Sequence, residues 1–432
     1  MAESTTVTIA NIESFKIKAI NWANRFDTFC LLDSNKYFYD GYSTKSWILG
    51  IGALDSVTAG IHAFERLKTF QEKAGSIIFG FFGYDLKNQI EALESSHADN
   101  LGFPELYFFK PRYVIEINDN KVTINRNYPE TFELIELINK EEEEPVYSAN
   151  KTAIKLKSRT TRAKYLQNVI NIKKQIEDGD FYELNYCNEF FAENVQIDPI
   201  GIFNRLNEKA AAPFSSLFKL NHSYLLCTSP ERFLKKIGSK LISQPIKGTI
   251  KKGVNAHENE LLKTKLANDI KERAENVMIV DLVRNDLSRS AVPGTVIVEE
   301  LFGIYEFNTV NQMISTVTSQ LKSDVHFMDA LKFAFPMGSM TGAPKIEVMK
   351  NIERYENFRR GLYSGSAGYI EPNGNFDFNV VIRSILYNAK TGYLSVPAGG
   401  AITYDSIPEE EYEEILLKAR NMIEAVGAAL ED

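Results

Sequence analysis

Gln244-Pro245-Ile246-Lys247-Gly248-Thr249 is the stretch from which the rest of the chain reads. It lies between two strand-like runs, Lys240-Leu241-Ile242-Ser243 and Thr249-Ile250-Lys251-Lys252. Pro245 fixes one backbone angle, and Gly248 lets a ligand or another segment approach closely. Between them Lys247 sits beside Ile246. A lysine held in an apolar wall has a depressed pKa and can be a free amine, hence a nucleophile. Taken alone, the stretch reads more readily as a hairpin whose lysine reaches water.

The composition bounds what such a lysine could serve. A chain of 432 residues exceeds the usual single core, so two lobes or one large layered domain are expected, and 44% apolar content supports a sizeable core. A net charge of −8, with no lysine/arginine run, argues against nucleic acid. The start, Met1-Ala2-Glu3-Ser4, lacks the basic-then-apolar plan of a signal peptide, and no apolar run is long enough to span a membrane. Cys30, Cys187 and Cys227 are scattered and lack metal-ligand spacing, which fits reduced thiols in or near strands and a cytoplasmic protein.

Outward from the lysine, helix and strand signals mix. Phe26–Leu32 reads as a buried strand, Ile77–Leu86 as a glycine- and aromatic-rich strand, and Tyr107–Ile124 as a hairpin. The charged run Lys140-Glu141-Glu142-Glu143-Glu144-Pro145 divides an N-terminal region, 1–145, from a larger one, 150–430. Thr161–Asp178 has helical spacing with Gly179 as its stop, and Phe181–Phe190 follows as a strand. There Glu183 reads as a strand residue facing water. Asn255 caps a helix starting near His257, on which Glu275, Met278, Ile279 and Leu282 form one stripe. An acid on a core stripe is costly unless paired or metal-bound. Further on come strands around Gly365–Tyr369 and Phe378–Tyr387, a loop at Gly399-Gly400, and a last helix from about Pro408 to Leu430. On that helix Glu411, Glu414 and Lys418 share a face.

Several segments keep a fixed order: Ser229-Pro230-Glu231-Arg232-Phe233, the Gln244–Thr249 stretch, Glu275–Leu287, Gly342-Ala343-Pro344-Lys345, Arg359–Gly365, Val381-Ile382-Arg383-Ser384, Ala398–Ile402 and Glu414–Arg420. As an ordered set they resemble the chorismate-utilising enzymes, which include anthranilate synthase component I, aminodeoxychorismate synthase component I and the isochorismate and salicylate synthases. The resemblance covers about residues 155–425. It implies an α+β fold, a layered α/β/β/α core of two packed antiparallel sheets with outer helices. The Gly80–Leu86 segment is similar to the family's N-terminal region, shortened here, and Gly179–Asn185 to its G-D-x-Y-Q-x-N segment, with Glu183 where glutamine is usual.

The same resemblance assigns roles. Glu275 and Glu414 are implied as magnesium ligands, with Glu411 direct or through water. Hard oxygen ligands suit that ion, which would hold the ring carboxylate of chorismate. Arg383 is the implied grip on the enolpyruvyl carboxylate, helped by Tyr363 and the backbone of Gly399, Gly400 and Ala401. Thr341, Gly342, Lys418, Gln312 and Glu183 complete the substrate-facing set. Glu231 is the implied general acid for the departing C4 hydroxyl, which requires a pKa raised by burial. A salt bridge from Glu231 to Arg232 is the competing reading.

P-I-K-G-T resembles the aminodeoxychorismate synthase branch, whereas anthranilate synthases carry alanine in place of Lys247. In that branch the lysine amine attacks C2, ammonia then displaces it at C4, and 4-amino-4-deoxychorismate results, a transaminase-type amination leading to 4-aminobenzoate and folate. Gln312 stands where a histidine is usual, and glutamine shuttles no proton near neutral pH. Ammonia is expected from a separate glutamine amidotransferase subunit, since no glutaminase region is apparent, and no lyase is appended. The competing functions are anthranilate synthase component I and a chorismate-binding protein without catalysis.

Overall fold

The computed structural model describes residues 4–37, 41–42, 45–126, 132–143 and 154–431. The Lys140–Pro145 run therefore leaves the described residues at position 144, and 144–153 lie outside them.

Two antiparallel sheets form the centre. The first runs from Ile78–Phe82 through Ser366–Ile370, Phe376–Asn379, Arg232–Ile237 and Lys240–Gln244 to Val310–Gln320, which also pairs with Ile246–Lys251 and Ile297–Glu306. The second runs from Trp47–Thr58 through Thr28–Asp33, Phe214–Leu220, Ser223–Ser229, Ser384–Asn388 and Tyr393–Ile402 to Glu183–Ala192. The long strand Leu106–Asn118 joins them, because it pairs with both Ile78–Phe82 and Trp47–Thr58.

Burial explains the layering. One core cluster holds Phe81, Cys187, Phe218, Leu225, Phe233, Leu241 and Phe378, drawn from the facing sides of both sheets. Helices Ala63–Ala74, Ile270–Ser288 and Phe327–Ala334 add Phe64, Leu67, Val283, Leu287, Met328 and Leu331 to it. A second cluster packs helices Ile12–Ala23, Arg162–Glu177, Pro199–Ala210 and Pro408–Val426 on the other face of the second sheet, through Phe15, Val169, Phe203, Ile415 and Ala419. The expected α/β/β/α layering is what the chain adopts.

Local structure departs from the sequence reading at several places, and one is Ile77–Leu86, whose strand ends at Phe82 before the 3-10 helix Tyr84–Gln89. The helix expected from near His257 is two helices, Ala256–Ala267 and Ile270–Ser288, because the Asp269 side chain accepts the Glu272 amide and starts the second. Phe378–Tyr387 is two strands. Val380-Val381-Ile382-Arg383 leaves the ladder, with the Val380 amide donating to the Glu231 carbonyl and the Val381 amide to that of Gly365. The glycines 399 and 400 lie inside the strand Tyr393–Ile402, not in a loop. The last helix stops at Val426, where Gly427 takes a left-handed φ of 71°, and Ala428–Leu430 is a short strand parallel to Ile154–Ser158.

Candidate active site

Lys247 lies in the strand Ile246–Lys251, at a register shift against Val310–Gln320 between Ile246 and Thr249. Gly248 makes the shift possible. Its φ is +96°, and an added Cβ would stand 3.2 Å from the Met313 Cβ and 3.3 Å from a Glu272 carboxylate oxygen. The Asn276 side chain, itself held by the Ser315 hydroxyl at 2.6 Å, donates to the Lys247 carbonyl at 3.5 Å.

The Lys247 side chain is one-tenth exposed, and its Nζ donates to Glu183 Oε1 at 2.5 Å. Two sequence expectations change here. Glu183 does not face water, and Lys247 is not a lone amine in an apolar wall. Burial pushes the ammonium pKa down, but Glu183, Glu275 and Glu231 more than offset it, and the net shift is upward.

Glu183 begins the strand Glu183–Ala192, and its position is fixed by a very close neighbour. Gly342 and Ala343 pair with Leu184 and Glu183, and a Cβ on Gly342 would come within 2.0 Å of the Glu183 carbonyl oxygen. Gly342 also has a φ of +146°, so no other residue fits there without strain. Thr341, fully buried, spends its hydroxyl on the Met337 and Gly338 carbonyls, both at 3.2 Å, and so shapes this segment from within. Arg360, which sequence reasoning left without a role, ties the parts together. It donates to Glu356, to the Met340 carbonyl at 2.7 Å and to the Asn185 carbonyl at 2.9 Å. The only signal for it was its place in the Arg359–Gly365 segment.

Glu231 is 5% exposed and is pushed up to about 7 by burial, with Ser339, Lys247 and the Ile246 amide pulling it partly back. The competing salt bridge does not form. Arg232 pairs instead with Asp377 at 3.0 Å and with Gln244. Glu231, Pro245 and Ser339 line a cavity of about 20 Å³, roughly room for one water.

The acids cluster across two helices. Lys271 Nζ lies 3.9 Å from Glu275 Oε1 and 4.0 Å from Glu411 Oε1, and Lys418 Nζ lies 2.5 Å from Glu414 Oε1. Burial raises Glu275 and Glu411, and repulsion from Glu414 adds to both. Glu414 is lowered by Lys418. Burial first, and then Glu275 and Glu414, carry Glu272 up to about 7. Sequence reasoning missed Glu272 and Lys271, although Lys271 stands one helical turn before Glu275.

Among the described residues no three His, Cys, Asp or Glu side chains form a closed ligand cluster. Magnesium asks for less, since it keeps several waters and takes one or two protein carboxylates. A Cβ at Gly400 would lie 3.3 Å from Glu411 Oε2 and 3.6 Å from Glu414 Oε1, so the missing side chain leaves room beside both carboxylates. Acids that share one lysine, beside that room, fit a hard divalent cation.

The remaining candidates gather nearby. Gly399, Gly400 and Ala401 pair with Cys187, Tyr186 and Asn185. The opposite edge of their strand is paired only as far as Ser395, which leaves it without a strand partner at the glycines among the described residues. A Cβ on Gly399 would sit 2.3 Å from the Cys187 sulfur, and the Gly399 carbonyl accepts Lys418 Nζ at 2.9 Å. Arg383 takes a left-handed φ of 52°, an uncommon conformation for a side chain of its size, and donates to the Lys418 carbonyl at 3.0 Å. Burial lowers its pKa, with Tyr363 and Glu414 opposing. Tyr363 is buried, its hydroxyl 3.9 Å from the Cys187 sulfur. Gln312, 4% exposed, pairs across the ladder with Thr249, and its Oε1 has no hydrogen-bond partner among the described residues.

Comparison with known proteins agrees with this geometry. Residues 29–424 match the family model for chorismate binding enzymes. A chloroplastic aminodeoxychorismate synthase of Arabidopsis thaliana is 36% identical over 410 residues, 89% of this chain and 44% of that one, so the chain spans less than half of that relative. Aminodeoxychorismate synthase component 1 of Salmonella typhimurium is 34% identical over 355 residues, 80% of this chain and 75% of its own. The crystal structure of anthranilate synthase component I from Streptococcus pneumoniae superposes with a TM-score of 0.74 at 25% identity, covering 87% of this chain and 91% of that one. The chain belongs to the family of chorismate binding enzymes.

Proposed function

We propose that the chain aminates chorismate at C4, giving 4-amino-4-deoxychorismate for 4-aminobenzoate synthesis, as component I of an aminodeoxychorismate synthase. The observation that carries this reading is Lys247, buried beside Glu231 and bonded to Glu183. Two of the relatives above bear that enzyme's name.

In this reading Arg383 and the free edge at Gly399–Ala401 take the enolpyruvyl carboxylate, with Tyr363 beside them. Glu275 and Glu414, with Glu411 direct or through water, would hold magnesium, which would supply charge stabilisation at the ring carboxylate. Lys247 Nζ forms a bond to C2 as both ring double bonds shift and the C4–O bond breaks. Glu231 gives its proton to the leaving hydroxyl, which departs as water. Ammonia then bonds to C4, both double bonds shift back, and the C2–N bond to Lys247 breaks. The name "component 1" shared by bacterial relatives fits an amidotransferase partner as the ammonia source. Three buried, unpaired cysteines suit a reducing cytoplasm.

The test is product identity. The protein is incubated with chorismate, magnesium and an ammonium salt, with and without an aminodeoxychorismate lyase. The reading requires 4-aminobenzoate only when the lyase is present; anthranilate formed directly refutes it.

A further inference from the structure

Resting on the proposed amination, one feature of the cleft remains without a task. A nucleophilic amine must be neutral, yet Lys247 faces carboxylates from three elements: Glu183 on the strand Glu183–Ala192, Glu231 ahead of the strand Arg232–Ile237, and Glu275 on the helix Ile270–Ser288. Glu414, on the last helix, also feels its charge. Lys247 therefore rests as an ammonium, and something must take its proton before attack.

Glu183 is placed for that. It is the acid in direct contact with Lys247 Nζ, at 2.5 Å, with its side chain 4% exposed. Both partners are anchored at the backbone, Glu183 against Gly342-Ala343 and Lys247 through Gly248 and Asn276. A role in gripping substrate suits it poorly, because chorismate is a dianion and a buried carboxylate would repel it. Glu231 is committed to the leaving hydroxyl, and Glu275 stands with the acidic rim.

We propose that Glu183 is the proton acceptor that frees Lys247 for attack and returns the proton when the lysine departs. In the first displacement the Lys247 ammonium gives one proton to Glu183 Oε1 and its electron pair forms the C2–N bond. The adduct nitrogen is then a secondary ammonium, matched by neutral Glu183. In the second, ammonia bonds to C4, the C2–N bond breaks, and its electron pair returns to Lys247. Glu183 gives back its proton, so that Lys247 leaves as an ammonium. The product ammonium at C4 carries ammonia's own three hydrogens, the adduct nitrogen keeps its two and gains the third from Glu183, and Glu231 regains from solvent the proton that it gave to the departing water. No oxidant or further reactant is needed.

The experiment isolates the first displacement by single-turnover rapid quench without ammonia, from pH 6 to 9, in the parent, Glu183→Gln and Glu183→Asp. With glutamine at 183, Lys247 loses the carboxylate that touches it, and its proton must go to water. The Glu183→Gln rate is expected to fall by about 10²–10⁴ at neutral pH. The ratio of that variant to the parent should rise roughly tenfold per pH unit, since the fraction of neutral amine does so below its pKa. The ratio cancels the titration of Glu231. Glu183→Asp should restore a flat ratio, and the dissociation constant for chorismate should stay within about threefold in both variants, as for a group that acts on the step and not on binding. A pH-independent ratio for Glu183→Gln, or a rate equal to the parent's, overturns the role of Glu183. Parent protein that makes no C4-aminated product once ammonium salt is added refutes the proposed function instead.

Discussion

Glu231→Gln separates what the site costs the fold from what it gives the reaction. Burial carries the Glu231 carboxyl from its ordinary value of 4.5 to about 7. The folded state therefore holds a proton that the unfolded chain has released, and the parent loses stability as pH rises from about 4.5 to about 7. Above that window the shift of roughly 2.5 units corresponds to roughly 3 kcal/mol, at 1.36 kcal/mol per unit. Glutamine has the same shape and no charge to desolvate. Between pH 5 and pH 8.5 its stability relative to the parent should rise by roughly 2.5 kcal/mol, because at pH 5 part of the cost is already present. With an unfolding entropy of about 2.1 cal/mol/K per residue, that is a relative gain in Tm of roughly 3 °C for a chain of this size. Effects of the amide that do not titrate appear equally at both pH values and drop out of the comparison. The assay is calorimetry of parent and variant, free of substrate, at the two pH values. Turnover should fall in the same variant by about 10²–10⁴, the usual worth of a positioned acid. A Tm difference that is the same at both pH values would show that Glu231 is not held neutral by burial, and its role as the acid would go with it.

Other expectations follow from the same geometry. Glu275→Ala and Glu414→Ala should each shift the magnesium titration of activity to higher concentration, and a curve superimposable on the parent's would remove the metal assignment. Arg360→Met leaves Glu356 buried without its partner, which should cost about 3–5 kcal/mol in urea unfolding. An unchanged midpoint would mean that this pair does not hold the Met340 and Asn185 carbonyls. Gly342→Ala forces a Cβ to within 2.0 Å of the Glu183 carbonyl oxygen, at a φ of +146°. Its Tm should fall by several degrees, and Lys247 should lose its set distance to Glu183. A variant with parental Tm and turnover would show that the strand tolerates displacement there.

The layered architecture followed from the resemblance carried by the ordered motifs, whereas local signals along the chain gave only a mixture of helix and strand. Continuous apolar strands such as Thr28–Asp33 and capped helices such as Ala256–Ala267, with Asn255 as its cap, announce themselves in short windows. The acids were found as residues for a similar reason, since Glu411 and Glu414 share a helical face. What hid was pairwise and distant. Nothing near Glu183 in the chain says that a lysine 64 positions later will meet it, so the strand pattern alone turned it toward water. The same partner reversed the expected shift at Lys247: Ile246 next door suggested an apolar wall, but the cleft that closes over the lysine is built from Glu183, Glu231 and Glu275. The glycines at 399 and 400 read as a loop because glycine usually marks one. Here they serve close approach of strand to strand, against Cys187 and the last helix. Likewise, the charged run before Pro145 does not reveal that Thr28–Asp33 pairs with Phe214–Leu220 in one sheet.

The most direct test of the central claim is the state of Lys247 during turnover. Protein mixed with chorismate and magnesium, without ammonia, is quenched over time, digested and weighed by mass spectrometry. The account predicts chorismate, less one water, attached at Lys247, its loss on adding ammonium salt as 4-amino-4-deoxychorismate appears, and no C4-aminated product from Lys247→Ala at the parent's rate. If the C4-aminated product forms while Lys247 stays unmodified at every time point, or Lys247→Ala forms it as fast as the parent, the lysine is not the nucleophile and the account of this cleft is wrong.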